Sequence, residues 1–411
     1  MKYGCIGEVL KHSFSAQIHN ALGYEYELVE LSRDEVGPFM TRADFLAINV
    51  TIPYKETVIP YLDEIDEAAR LIGAVNTIVK RDGRLYGYNT DFFGLSALAG
   101  RIGIDFKGKK VLILGTGGTS KTATAVARHF GAREIIRASR DGKEMAVLYS
   151  DVYKYHTNAD IIINTTPVGM YPKCDGCPID IDKFPSLCGV IDAIYNPNET
   201  RLIRGAKRRG IAAEGGLYML VAQAVLASEH FLGVRYDTGV LDRVFKDISR
   251  RNRSIVLIGM PASGKSTVGR LIAQALNREL VDTDTLIERA CGMTIPEIFS
   301  RYGEEYFRDR ESEAVREASK MTGVVIATGG GAVLREENVE ALRQNGRLYF
   351  IDRPLSALIP TDDRPLSSTK EAIEKRYNER YSIYLSSCDE RIDADCEARA
   401  VCERILSDFS K

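Results

Sequence analysis

No apolar run in this 411-residue chain approaches the ~18–20 residues that a bilayer-spanning helix needs, so no membrane partner is expected. The first residues, Met1-Lys2-Tyr3-Gly4-Cys5-Ile6-Gly7, contain no signal-peptide apolar core, which makes the cytoplasm the expected compartment. An excess of one charge is also missing. A net charge of −2 leaves no basic surface field for nucleic acid. Internal repeats and low-complexity tracts are absent, which sets aside solenoids and disordered tails. The eight cysteines are scattered from Cys5 to Cys402 and form no disulfide framework. The one tight cluster, Cys174-Asp175-Gly176-Cys177 with Cys188 nearby, has no histidine close in sequence and reads as a surface loop, not a zinc site.

What remains is an ordinary globular composition, 45% hydrophobic and 27% charged, on a chain too long for a single core. Strand-like runs alternate with helix-like ones: 45–50, 75–80, 111–114, 134–138, 160–164, 189–194, 255–258, 279–281, 324–327 and 347–351. Such alternation predicts α/β sheets with crossover helices. The sharpest break is Ser249-Arg250-Arg251-Asn252-Arg253-Ser254, a basic polar stretch with little to bury, read as a hinge over 249–253. A softer boundary falls near Asp105–Lys109.

Two glycine loops follow strands and open helices, and they are of different kinds. Gly115-Thr116-Gly117-Gly118-Thr119-Ser120 is of the dinucleotide type, in which glycines let backbone amides approach a pyrophosphate at a helix N-terminus. Its third motif position is Ser120 where Gly or Ala is usual. The next strand ends at Ser139-Arg140, where an NAD site usually has an acidic residue for the ribose. Arg140 suits a 2′-phosphate, which favours NADP over NAD, while the adjacent Asp141 argues the other way. Gly259-Met260-Pro261-Ala262-Ser263-Gly264-Lys265-Ser266-Thr267 is a Walker A loop, in which the lysine reaches the β/γ-phosphates and the Ser266 hydroxyl holds Mg²⁺. One loop points to hydride transfer, the other to phosphoryl transfer from ATP.

From near residue 3 to Ala224 runs a series of blocks: His12-Ser13-Phe14-Ser15, Asn49-Val50-Thr51-Ile52-Pro53-Tyr54-Lys55, Gly73-Ala74-Val75-Asn76-Thr77, Gly87-Tyr88-Asn89-Thr90-Asp91, Asn164-Thr165-Thr166-Pro167-Val168-Gly169-Met170, Asp192 to Pro197, and Gly216-Leu217-Tyr218-Met219-Leu220 running to Gln223. In order and spacing they resemble the shikimate dehydrogenases. The resemblance implies that Lys55 and Asp91 are a proton-donating pair. It assigns Ser13, Ser15 and Tyr195 to the substrate carboxylate, and Thr51, Asn76 and Gln223 to ring hydroxyls. Gly115, Gly117, Gly118, Thr119, Ser139 and Arg140 would hold NADP. His12 and His19 are not expected to act as general acids.

From Ser254 to Lys411 the phosphate loop is followed by Asp282-Thr283-Asp284, Phe307-Arg308, Gly329-Gly330-Gly331, Arg364-Pro365-Leu366 and Arg380. With these blocks the segment is similar to the shikimate kinases, whose fold is that of the nucleoside monophosphate kinases. The resemblance implies that Asp284 orients the attacking hydroxyl, that Arg308, Gly330 and Arg380 bind the acceptor, and that Arg364 neutralises the transferring phosphoryl group. Lys265, with Gly259, Gly264 and Thr267, would hold the phosphates, and Ser266 and Asp282 the Mg²⁺. The stretch Asp352 to Asp363 is shorter and less basic than such a kinase's lid, and no proline follows Arg380 closely.

The expected architecture is therefore α/β throughout. An N-terminal substrate domain spans 1–105 with the helices of 217–248 returning to it. A Rossmann NADP-binding domain spans 106–216, and a P-loop kinase domain spans 254–411. The expected function is bifunctional: reduction of 3-dehydroshikimate to shikimate with NADPH, then phosphorylation of shikimate with ATP, in chorismate and aromatic amino acid biosynthesis. The alternatives are an NAD-dependent quinate/shikimate dehydrogenase joined to a kinase of another hydroxy acid, or to a nucleotide-binding module without turnover. Small molecules are the expected partners, and the sequence leaves the oligomeric state open.

Overall fold

The computed structural model describes residues 1–10, 13–358 and 369–410. The chain divides into two compact units, Met1–Ile248 and Ser249–Lys411. Among the described residues no helix is long and apolar enough to cross a membrane.

The first unit holds two six-stranded sheets. The N-terminal one comprises β1 (Tyr3–Gly7), β2 (Glu27–Glu30), β3 (Ala47–Val50), β4 (Glu64–Ile65), β5 (Thr77–Arg81) and β6 (Arg84–Tyr88), in the order β2-β1-β3-β5-β6-β4. β1 pairs in parallel with β2 and β3, whereas β5 runs antiparallel to both β3 and β6. The β5–β6 hairpin turns on Asp82-Gly83, both at positive φ (51° and 79°), the conformation that an Asp-Gly pair supplies to a tight hairpin turn.

The second sheet is wholly parallel: β7 (Lys110–Leu114), β8 (Glu134–Ser139), β9 (Val147–Leu148), β10 (Ile161–Asn164), β11 (Gly189–Asp192) and β12 (Ala212–Glu214), ordered β12-β11-β10-β7-β8-β9. Every residue of β7, β10 and β11 is buried because helices cover both faces, so these strands read as unbroken apolar runs. Leu112, Leu114, Ile162 and Val190 face a core with Phe184, Leu202 and Ile203. Val111, Ile113, Ile161 and Ile163 face another with Leu95, Leu98 and Val126. The order reverses between β7 and β10, and the crevice above such a switch point is where open α/β sheets bind ligands. The helix Leu217–Leu232 packs against the helix Asp91–Arg101 and against β3 and β5. The crossing is close at Gly94, where a Cβ would lie 2.6 Å from the Met219 carbonyl oxygen.

The second unit is one parallel sheet of β13 (Ser254–Ile258), β14 (Leu280–Asp282), β15 (Val325–Ala327), β16 (Gly346–Asp352) and β17 (Glu390–Asp393), ordered β14-β15-β13-β16-β17. Val256, Ile258, Leu348 and Phe350 pack on one face with Val315 and Tyr384. Ile255, Leu257, Tyr349 and Ile351 pack on the other with Val268, Ile272 and Ile405. Within the stretch read as a hinge, residues 249–252 form the last turn of the helix Val240–Asn252, and the division between the two units falls between Ile248 and Ser249. Arg250 and Arg251 sit in that turn, where cations complement the helix dipole, and the Arg278 guanidinium donates to the Arg250 and Arg253 carbonyls at 2.7 and 2.8 Å.

Candidate functional site

In the first unit, Lys55 lies in the turn that follows β3, and Asp91 is the first residue of the helix Asp91–Arg101. Lys55 Nζ stands 2.5 Å from Asp91 Oδ2, with both side chains nearly buried (13% and 10% exposed). A carboxylate at a helix N-terminus is favourably placed, and here it fixes the ammonium in one position. A Cβ on Gly118 would lie 3.6 Å from Lys55 Cδ, so the dinucleotide loop borders the lysine stem. Beside Lys55, Glu56 pairs with Lys121 of the helix Gly118–His129 at 2.7 Å.

Of the residues expected to bind ring hydroxyls, Asn76 and Gln223 come together, with Thr90 between them. Asn76 Nδ2 donates to Thr90 Oγ1 at 3.0 Å and to Gln223 Oε1 at 3.4 Å, while the Thr90 N–H donates to Asn76 Oδ1 at 2.8 Å. Thr90 was not read as a site residue, yet it is buried at the centre of this cluster. Behind Asn76, the Tyr26 hydroxyl donates to Asn49 Oδ1 at 2.6 Å, and Asn49 Nδ2 donates to the Asn76 carbonyl at 3.1 Å. Thr51 follows β3 and abuts Gly7. Ser13 Oγ donates to Ser15 Oγ at 3.0 Å, and the Tyr195 ring packs on Phe14 between them, with burial pushing the Tyr195 hydroxyl up.

His12 lies outside the described residues. His19 is fully buried, stacked on Tyr26 at 3.9 Å between centroids and joined through Nδ1 to the Tyr24 hydroxyl. Burial pushes its ring down to about 3, so it is a neutral imidazole and not an imidazolium acid at neutral pH.

The dinucleotide loop explains its own departure. Ser120 is buried, and its hydroxyl donates to the Gly115 carbonyl at 2.7 Å, tying the helix back to the loop. Gly115 has φ 111°, and a Cβ there would meet Thr165 Oγ1 at 2.6 Å, so no other residue fits. At the end of β8, Arg140 is exposed. Asp141 is turned onto its own loop, accepting from the Ser139 hydroxyl at 3.1 Å and pairing with Lys143 at 3.1 Å. Those Lys143 contacts hold its carboxyl below the usual range.

Asp192 closes β11 beneath the Tyr195 loop. Its Oδ1 accepts from Asn164 Nδ2 (2.9 Å) and the Ile194 N–H (3.0 Å), and its Oδ2 accepts from the Thr200 hydroxyl (2.7 Å). Burial nevertheless pushes this carboxyl up to about 7, the hydrogen bonds pulling the other way. From the ordinary carboxyl value near 4 up to about 7, the folded chain keeps a proton that the unfolded chain has lost. This contribution to stability is therefore full in acid and gone once the pH has risen through 7. Asp192→Asn keeps an acceptor for Asn164 and Ile194 and offers an N–H to Thr200. Its melting temperature is expected to fall less between pH 5 and 8 than the wild type's, as read by thermal unfolding across that range. Equal falls would discount the buried carboxyl.

In the second unit the Walker A loop leaves β13 at Gly259, where a Cβ would lie 2.8 Å from the Ile351 carbonyl oxygen. It ends at Gly264 (φ 92°), the cap of the helix Lys265–Leu276. Lys265 is buried, with Nζ 2.9 and 2.8 Å from the Gly259 and Met260 carbonyls. Ser266 Oγ donates to Asp282 Oδ2 at 2.8 Å, and Asp282 Oδ1 caps the next helix by accepting from the Asp284 N–H at 3.0 Å. A cavity of about 210 Å³ is lined by Gly264, Lys265, Ser266, Thr267, Asp282 and Asp284, with Gly330 at its edge. Two hard oxygen donors beside a phosphate loop fit Mg²⁺, which keeps several waters and binds through few protein ligands.

The glycine run packs against the expected acceptor residues. On Gly331 a Cβ would fall 1.9 Å from Arg308 Nη1, and on Gly329 it would meet Asp284 Oδ1 at 2.6 Å and Glu311 Oε1 at 2.8 Å. Arg308 pairs with Glu311 at 2.6 Å and Glu304 at 3.0 Å, and Arg380 Nη1 donates to the Gly330 carbonyl at 3.2 Å. Glu311 went unread in the sequence. It is 1% exposed, and burial pushes its carboxyl up against the opposing pull of Arg308. Its position three residues after Arg308, on one helix face, was the available signal. Arg364 lies outside the described residues.

Together these sites define a dinucleotide-type reductase fold joined to a small P-loop kinase fold. The family model for the shikimate dehydrogenase substrate binding domain matches residues 5–78, and that for shikimate kinase matches residues 261–410. A shikimate dehydrogenase (NADP(+)) of Clostridium beijerinckii is 39% identical over 243 residues, 55% of this chain and 90% of the relative. The crystal structure of shikimate dehydrogenase 1 from Peptoclostridium difficile matches with a TM-score of 0.56 and 37% identity, over 60% of this chain and 98% of that one. A chorismate mutase/shikimate 5-dehydrogenase fusion protein from Clostridium acetobutylicum matches at 32% identity and a TM-score of 0.56, over 60% of this chain and 96% of that one. The chain belongs to the shikimate dehydrogenase family and carries a shikimate kinase domain after it.

Proposed function

We propose that the first unit reduces 3-dehydroshikimate to shikimate with NADPH and that the second phosphorylates shikimate with MgATP. The observation that carries this reading is the pairing of two separately built sites with one metabolite. One holds a buried Lys55–Asp91 pair beside a dinucleotide loop, and the other holds Asp284 and Arg308 around a glycine run beside a phosphate loop.

In the reductase site the dinucleotide supplies the hydride, and Gly115, Gly117, Gly118, Thr119, Ser139 and Arg140 are the residues to hold it. Ser13, Ser15 and Tyr195 offer hydroxyls to the substrate carboxylate, while Thr51, Asn76 and Gln223 fix the ring hydroxyls. As the ring carbonyl becomes an alkoxide, Lys55 Nζ gives it a proton, with Asp91 holding the ammonium in place. The turned-away Asp141 and the exposed Arg140 support NADPH over NADH.

In the kinase site Ser266 and Asp282, with water, would hold Mg²⁺, which would supply charge neutralisation to the phosphates. Lys265, Gly259, Gly264 and Thr267 cradle the phosphates, and Arg308 and Arg380 offer planar donor forks to the acceptor carboxylate. Asp284 aligns the attacking hydroxyl, whose oxygen bonds to the γ-phosphorus as the bond to the β–γ bridging oxygen breaks. The hydroxyl proton passes to Asp284 or to water, and ADP leaves. Eight free thiols support a reducing cytoplasmic setting for this metabolism, the supply of chorismate and aromatic amino acids.

A coupled assay tests the whole reading. With 3-dehydroshikimate, NADPH, ATP and Mg²⁺, NADP⁺ is expected first and ADP after it, approaching one for one. Faster oxidation of quinate with NAD⁺ than of shikimate with NADP⁺ would make the first unit a catabolic dehydrogenase instead. Shikimate binding without ADP release would make the second a module without turnover.

A further inference from the structure

The carbonyl oxygen of Gly330 receives two donors from one helix. Arg380 Nη1 reaches it at 3.2 Å, and one turn later the Tyr384 hydroxyl reaches it at 2.5 Å. Both side chains project from the helix Lys370–Ser387 at i and i+4, hence on one face. Tyr384 is 1% exposed, and its ring stacks on Phe350 of β16 at 5.1 Å between centroids and 14° between planes. Gly330 is hemmed in on its other side as well, since a Cβ there would lie 2.7 Å from Pro261 Cδ of the phosphate loop. Its neighbours touch the acceptor residues: Gly329 borders Asp284 and Glu311, and Gly331 borders Arg308. The Gly329 N–H is itself held by the Thr283 hydroxyl at 2.9 Å. One peptide thus joins the phosphate loop, the acceptor floor and the helix that carries Arg380.

The two donors to that carbonyl are not equivalent. Arg380 has a second claim on it, since pairing its guanidinium with an acceptor carboxylate draws it away from the Gly330 oxygen. The Tyr384 hydroxyl is confined by its ring, which is stacked on Phe350. Burial pushes it up to about 12, so it stays a donor across the working pH range. From this geometry we infer that Tyr384 is a positioning residue for phosphoryl transfer, its hydroxyl holding the Gly330 peptide in place when Arg380 turns to the acceptor. The inference rests on reading that acceptor as shikimate.

Tyr384→Phe keeps the ring on Phe350 and deletes only the hydroxyl. Loss of one buried hydrogen bond of ordinary strength corresponds to about a fivefold effect. The expected result is a KM for shikimate raised about fivefold, with kcat changed less than twofold. Reduction of 3-dehydroshikimate by the same chain, which counts folded protein, is expected to stay at the wild-type rate. Arg380→Lys is expected to cost less in the Tyr384→Phe background than in the wild type, because without the hydroxyl Arg380 is already partly committed to Gly330. Wild-type constants in Tyr384→Phe would overturn the assignment alone. So would a fall in kcat at unchanged KM accompanied by a lower melting temperature, the mark of a purely structural residue. A wild-type chain that released no ADP with shikimate would overturn the acceptor reading and this assignment with it.

Discussion

Lys55→Ala is expected to lower the rate of 3-dehydroshikimate reduction by about 10²–10⁴ and to leave ADP release from shikimate and ATP at its wild-type rate. The size follows from what the side chain supplies. A proton delivered in the transition state by a positioned group has that value, and the 2.5 Å contact with Asp91 leaves the ammonium little freedom to be elsewhere. Truncation also strands a nearly buried carboxylate, which weakens the fold as well as the chemistry. Two measurements separate the causes. Lys55→Met keeps the stem against Gly118 without the charge, and its reduction rate is expected to fall as far as that of the alanine variant. In Lys55→Ala/Asp91→Asn, where no unpaired charge is buried, the melting temperature is expected to recover while the rate does not. A Lys55→Ala enzyme keeping more than a tenth of the wild-type rate would reduce this pair to an ordinary ion pair.

The parts of the molecule that could be read from the sequence are those whose surroundings force a simple pattern. β7, β10, β11 and β13 are buried on both faces and appear as unbroken apolar runs, and each expected boundary falls within a residue or two of the observed one. The expected start at Phe45 was early because Phe45 is buried in the core just before β3 begins. Strands that border water carry no such signal. β2 is Glu-Leu-Val-Glu and β17 is Glu-Arg-Ile-Asp, and each is a strand only because a parallel neighbour pairs with it. The stretch 249–253 shows a different limit: its polarity coincides with the division between the units, but not with the end of the helix, because arginines in a last helical turn are compatible with the helix that precedes them.

The sites divide in the same way. Glycine loops are legible because backbone geometry restricts the residue type, as at Gly115 and Gly264. Lys55, Asp91, Asn76 and Gln223 were legible as members of recurring blocks, and the structure brings Asn76 and Gln223 into contact across 147 residues of chain. Thr90, Asp192 and Tyr384 act through hydrogen bonds to groups distant in sequence, and nothing in their immediate neighbours announces the partner. Glu311 is the intermediate case, since its spacing from Arg308 predicts a contact but not the burial that makes its charge consequential.

Lys265→Ala is expected to reverse the Lys55 result, with phosphorylation of shikimate down by roughly 10²-fold or more, a loss of some 3 kcal/mol of transition-state stabilisation, and reduction unchanged. Lys265 is buried and lines the cavity together with Ser266, Asp282 and Asp284, so its charge acts where water screens it little. In this structure its Nζ donates to the Gly259 and Met260 carbonyls, which keeps the ammonium over the loop where phosphates would bind. Removing it leaves those carbonyls without that donor, but the loop's shape is set by Gly259, Gly264 and the Ser266–Asp282 contact, none of which the substitution touches. Nucleotide affinity is therefore expected to weaken less than turnover, and single-turnover measurements at saturating ATP would show the defect in the chemical step. Lys265→Arg keeps the charge but not the compact ammonium, and is expected to recover only part of the rate. A Lys265→Ala variant that phosphorylates shikimate at the wild-type rate would remove this loop from the reaction. Loss of both activities from either lysine variant, in a chain that still unfolds cooperatively at the wild-type temperature, would contradict the picture of two independent sites.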